Sequence, residues 1–211
     1  MKASKIFCFS FAMVLSAFTA AHAIPIVGDL AVDFRASSWS GADTQSSWTV
    51  GNATATAGGS TFWQDPVDGL GVRGGSQSDE IDHAEKIQVA FAGGMNLRGV
   101  WLTDLFKSPD GAGDPKGEHG KVVIKDSNGN FHTFYFYGDG SDQVNGEQYI
   151  DFLETILVTE AEFYVVDYNG EQTNNEYSVA GFVGVPVPEP ITMLLLGFGL
   201  VALAGVRRFK K

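Results

Sequence analysis

The chain has 211 residues, and its 14 Lys and Arg face 25 Asp and Glu for a formal charge of −11 at neutral pH. All 25 acidic residues but only eight of the basic ones lie between Ile24 and Pro190, so that stretch carries a net −17. Such a surface repels nucleic acid and anionic membranes and excludes both as partners of the body. The one cysteine, Cys8, leaves no disulfide framework or thiolate site to be built elsewhere.

In chain order, residues 1–23 have the form of a secretory signal peptide. Lys2 and Lys5 supply a positive start, Ile6–Phe18 an apolar run, and Ala21-His22-Ala23 a small-residue cleavage site before Ile24. Residues 24–185 then form one body of about 165 residues, enough for a single core and too few for two.

Short apolar runs alternate with Gly, Asp, Asn and Ser turns through this body. Strands are expected at Leu30–Phe34, Ser47–Val50, Asn52–Ala57, Thr61–Trp63, Gly69–Val72, Ile87–Phe91 and Leu97–Phe106. Val122–Ile124 and Phe131–Tyr137 flank Ser127-Asn128-Gly129-Asn130, and Asn-Gly between two β-rich runs is a strong hairpin signal. Phe152–Val158, Phe163–Tyr168 and Tyr177–Val185 complete the set, with one helical turn allowed within Tyr149–Val158. No stretch carries a sustained helical stripe. The expected fold is all-β, a single antiparallel β-sandwich or jelly roll.

Few residue groups in the body point to chemistry. Gly69-Leu-Gly71-Val-Arg-Gly74 fits G-x-G-x-x-G, but a loop follows instead of the helix that a dinucleotide needs. Asp79, Glu80, Asp82 and Glu85 form the densest acidic patch. Hard carboxylate oxygens so close together are candidate Ca²⁺ ligands, and the competing account is a solvated strand edge. Asp126-x-Asn128-x-Asn130 begins like a calcium loop, yet Phe131 and Tyr137 stand where Gly and Glu are required, so it is expected to be a plain turn. His83, His119 and His132 sit in no nucleophile or metal motif, and no catalytic residue is assigned. Trp39, among Ser and Gly, is the candidate exposed ring for carbohydrate contact. Trp48, Trp63, Trp101, Tyr135, Tyr137, Tyr149 and Tyr168 are expected in the core.

The C-terminal stretch, residues 186–211, has three parts in order. Pro188-Glu189-Pro190 is rigid and extended, Ile191–Val206 is uncharged and transmembrane in character, and residues 207–211 form a basic end with Arg207 and Arg208. As a helix the apolar part spans about 24 Å. Val187-Pro188-Glu189-Pro190, Thr192, the Leu/Gly-rich span and the arginines resemble the PEP-CTERM sorting tail of Gram-negative bacteria. The resemblance implies an exosortase, a membrane transpeptidase that removes the tail after an inner-membrane intermediate and delivers the body to the cell surface or matrix. Gly69–Phe91 also resembles bodies carried by such tails, which implies a β-sandwich. The expected function is structural or adhesive and not enzymatic, in association with exopolysaccharide or biofilm. A carbohydrate-binding module, with Ca²⁺ as its candidate ion, is the alternative, and a secreted hydrolase the third.

Overall fold

The computed structural model describes residues 30–74, 79–107, 117–140, 144–166 and 175–184. The signal segment 1–23 and the tail 186–211, with its apolar span, lie outside the described residues. The described residues form ten strands: β1 (Leu30–Asp33), β2 (Ser47–Val50), β3 (Ala53–Ala57), β4 (Thr61–Asp65), β5 (Gly69–Arg73), β6 (Lys86–Thr103), β7 (His119–Asp126), β8 (Phe131–Tyr137), β9 (Gln148–Val165) and β10 (Ser178–Gly184). The described part of the chain is therefore all-β. Every strand pairing is antiparallel, and a 3-10 turn at Ser37–Ala42 is its one helical element among the described residues.

Two strands of 18 residues organise the rest. Ile87–Phe91 and Leu97–Phe106 were expected as separate strands, as were Phe152–Val158 and Phe163–Tyr168; each pair is instead a single strand, β6 and β9. Their mutual ladder survives two interruptions, between Ala90 and Met95 and between Leu97 and Gly99. Gly93 and Gly94 adopt φ of 78° at the first, and Leu153 adopts φ of 67° opposite the second. Such bulges bend a strand without ending it. The helical turn allowed within Tyr149–Val158 is therefore strand.

The bend changes the neighbours. The first half of β6 pairs with β3, and the second half with β10. β9 pairs with β7 only through its second half, and β8 follows at the sheet edge. On its other side β10 pairs with β5 at Val179 and with β1 from Gly181 to Val183.

The two halves meet through aromatic rings. Phe182 of β10 lies 5.2 Å from Phe91, 5.7 Å from Phe163 and 6.0 Å from Phe34, centroid to centroid. All four are buried, as are Ile87, Val89, Leu97, Val100, Leu102, Val122 and Ile124. Each such side chain contributes about 1.5–3 kcal/mol through burial. Val100 and Leu102 share the inward face, and Asp104, within the expected strand Leu97–Phe106, lies beyond its end with φ of 56°.

Candidate functional site

Two groups of side chains could carry chemistry: a carboxylate basin at one end of the strands, and an aromatic and basic face on the outer side of β7 and β8. The basin begins at Ile81, which is buried and exchanges backbone hydrogen bonds with Tyr177, its N–H donating at 2.8 Å and its carbonyl accepting at 3.3 Å. Glycine at position 71 lets this segment cross β5, because a Cβ there would lie 1.8 Å from the Asp79 carbonyl oxygen. Gly69 adopts φ of 105°. The G-x-G-x-x-G spacing thus serves a tight turn and close packing.

The candidate calcium ligands do not form one set. Asp82 and Glu85 close a turn: the Asp82 N–H donates to Glu85 Oε2 at 3.2 Å, and the Ala84 N–H to Asp82 Oδ1 at 3.4 Å. Asp79 and Glu80 instead belong to a larger basin with Asp104, Glu118 and Glu176, which all act on Glu80. Among the described residues, no three His, Cys, Asp or Glu side chains are grouped to hold a metal ion.

Burial and like charge dominate this basin. Glu80 is pushed up to about 10, first by desolvation and then by Glu176, Asp104, Glu118 and Asp79. Desolvation likewise raises Asp104 to about 7, helped by Asp68, Asp79, Asp65 and Glu176. Asp68 is raised for the same reasons despite the opposing field of Arg35. Glu80 Oε2 is shut off from solvent and has no hydrogen-bond partner. Glu80 is therefore a neutral acid at pH 7, and Asp104 holds its proton far above the usual carboxylate range. Glu118, buried, accepts a hydrogen bond from the Phe106 N–H and fixes the segment after β6.

The aromatic expectations need two corrections. Trp39, expected exposed, is 1% exposed because the 3-10 turn folds it onto Phe34, edge to face at 4.7 Å. It cannot stack on a sugar. Tyr135 and Tyr137, expected in the core, are 71% and 59% exposed, and Phe131 on the same strand is 68% exposed. β8 alternates, so Phe134 and Phe136 point inward while Phe131, Thr133, Tyr135 and Tyr137 point out. Aromatic residues at consecutive positions hide which face is buried, and no sequence signal marks β8 as the sheet edge.

The register places these rings beside lysines. Tyr135 pairs with Lys121, Lys121 with Tyr164, and Tyr164 with Lys86, one row across β8, β7, β9 and β6. The Lys121 and Lys86 ammonium groups lie 5.1 and 5.8 Å from the Tyr164 ring centre. In a parallel row Phe131 pairs with Lys125, whose Nζ is 5.9 Å from the ring centre, and Lys125 with Glu160. Lys86 forms an ion pair with Glu162 at 2.9 Å, and the Tyr164 hydroxyl donates to the same carboxylate. Burial and that hydrogen bond raise the Tyr164 hydroxyl to about 12, so it stays a donor.

No curated protein and no solved structure matches the chain. Residues 186–208 match the family model described as the PEP-CTERM protein-sorting motif, and they include Pro188, Glu189, Pro190, Arg207 and Arg208. The chain thus carries the sorting motif of the PEP-CTERM, exosortase-processed proteins, which marks it for export to the cell surface or beyond.

Proposed function

We propose that this is a non-catalytic surface or matrix protein of a Gram-negative bacterium, held briefly in the inner membrane by its tail and released outward. Its body, read as a single sandwich-type domain, acts as a structural and adhesive element associated with extracellular polysaccharide. The observation that supports the glycan part is the row of exposed rings on β8: Phe131, Tyr135 and Tyr137. Flat rings on a rigid strand offer their faces to the C–H faces of sugars at little cost in conformational entropy. Electrophoresis of the full-length protein through gels containing soluble polysaccharide tests this. Retardation is expected, and loss of most of it in Tyr135→Ala/Tyr137→Ala; retardation of the variant equal to the parent overturns the assignment.

A second reading, a secreted hydrolase, draws on Glu80 and Asp104, because a carboxyl held neutral beside ionised ones can serve as a general acid. Turnover of a polysaccharide that Glu80→Gln abolishes would favour it over the structural role.

A further inference from the structure

We infer that the outer face of β7, β8 and β9 selects anionic glycans, those bearing carboxylates on their sugar rings, over neutral ones. This rests on the glycan-associated function proposed above and names the substrate class of the same face.

Charge distribution carries the inference. The stretch Ile24–Pro190 has a net charge of −17 with only eight Lys and Arg. Three of the eight, Lys86, Lys121 and Lys125, stand on this one face. The acidic residues beside these lysines are Glu160, opposite Lys125, and Glu162, in the row between the two. Glu162 is neutralised by Lys86, and Glu160 accepts a hydrogen bond from the Gln88 amide. Among the described residues Lys121 and Lys125 form no ion pair; each instead lies against an aromatic ring. Their stems are partly covered, so the ammonium groups are held at the surface between rings that a sugar can stack on.

Alternation of ring and cation gives the match. The row Tyr135, Lys121, Tyr164, Lys86 crosses four strands, about 14 Å at the usual strand spacing. A polymer lying along it would meet the exposed Tyr135 ring and then the Lys121 ammonium, which has no acidic partner among the described residues. Stacking takes the ring of a sugar, and a lysine takes the carboxylate attached to it. A neutral glycan would use only the first contact. On a body that repels polyanions everywhere else, the lysines create one tolerated place for them.

The test uses the full-length protein in gels containing polygalacturonate or neutral hydroxyethylcellulose, with double-stranded DNA as a polyanion control. Polygalacturonate is expected to bind at least tenfold more tightly than the neutral polymer, and DNA is expected not to retard the protein. Lys121→Gln/Lys125→Gln should lose most of the polygalacturonate binding while keeping any neutral binding. Tyr135→Ala/Tyr137→Ala should lose both. These positions are on the surface, and unchanged melting temperatures verify that the variants fold. Equal binding of both polymers, or an unaffected lysine variant, overturns the anionic preference but leaves glycan association standing. Equal retardation by DNA reduces the face to ion exchange and overturns the preference as well. No retardation by either glycan overturns the proposed function too.

Discussion

Replacing Glu80 by Gln should stabilise the protein at neutral pH, although it removes a buried charged residue type. Glu80 has an ordinary value of 4.5 and is pushed up to about 10 in the fold. At pH 7 the unfolded chain has lost this proton and the folded chain holds it, so folding must take up one proton. Between pH 4.5 and 7 that costs about 2.5 × 1.36, or ~3.4 kcal/mol. Residual solvent access and the titration of Asp104 nearby reduce this to about 2–3 kcal/mol. Glutamine has the shape of the protonated acid and needs no proton. For a domain of this size the gain is roughly 5–10 °C in melting temperature.

The sign fixes the pH dependence. A carboxyl whose folded value is raised binds more protons folded than unfolded, so wild-type stability falls as pH rises from 4.5 toward 10. The advantage of Glu80→Gln should therefore shrink to about 0.7 kcal/mol at pH 5 and grow toward pH 8. Thermal unfolding of the full-length protein, followed by circular dichroism at pH 5, 7 and 8 in EDTA, measures it. A variant that is less stable at pH 7, or whose advantage is the same at pH 5 and 8, would refute the reasoning.

Changing Pro188-Glu189-Pro190 to Ala-Ala-Ala should leave export intact and block removal of the tail, seen as a heavier membrane-bound band on an immunoblot; normal processing of that variant would sink the sorting assignment. Calcium is expected to leave the melting temperature unchanged at pH 6, where Glu80 holds its proton and Asp104 mostly does. A saturable rise there, scanned up to millimolar Ca²⁺, would show that a cation displaces those protons and would return Asp79, Glu80, Asp82 or Glu85 to the role of ligands.

Local signals were the legible part of this chain. The turn Asn128-Gly129 forms the β7–β8 hairpin because Gly129 accepts φ of 86°. The Asp126 carboxylate receives the N–H groups of Asn128 and Asn130. The Asn130 side-chain amide, then these N–H groups and His132, hold Asp126 down at about 2 and account for the calcium-like spacing as a turn. Long-range facts were hidden. Gly93-Gly94 looks like a chain break, yet the β6–β9 ladder resumes beyond it, and no local pattern records that. Trp39 has polar neighbours in sequence, but its burial depends on Phe34, which itself packs on Phe182. Glu80 resembled a surface acid because Asp104, Glu118 and Glu176 come from distant strand ends.

The position of β10 decides how the body is presented while the chain is held from its C-terminal side. β1 runs alongside the end of β10, with Leu30 opposite Val183, and the Cβ of Ala31 is 2.4 Å from where a side chain on Gly184 would begin. The described chain thus enters and leaves the domain at one corner. Seven residues of β10 separate it from Glu176 and the carboxylate basin, a reach of about 23 Å. Held from its C-terminal side during sorting, the domain would stand with the acidic end facing away from the membrane. A pull on the anchor would load a strand clamped on both flanks, by β6 and by β1 with β5, so its hydrogen bonds would have to shear together instead of unzipping singly.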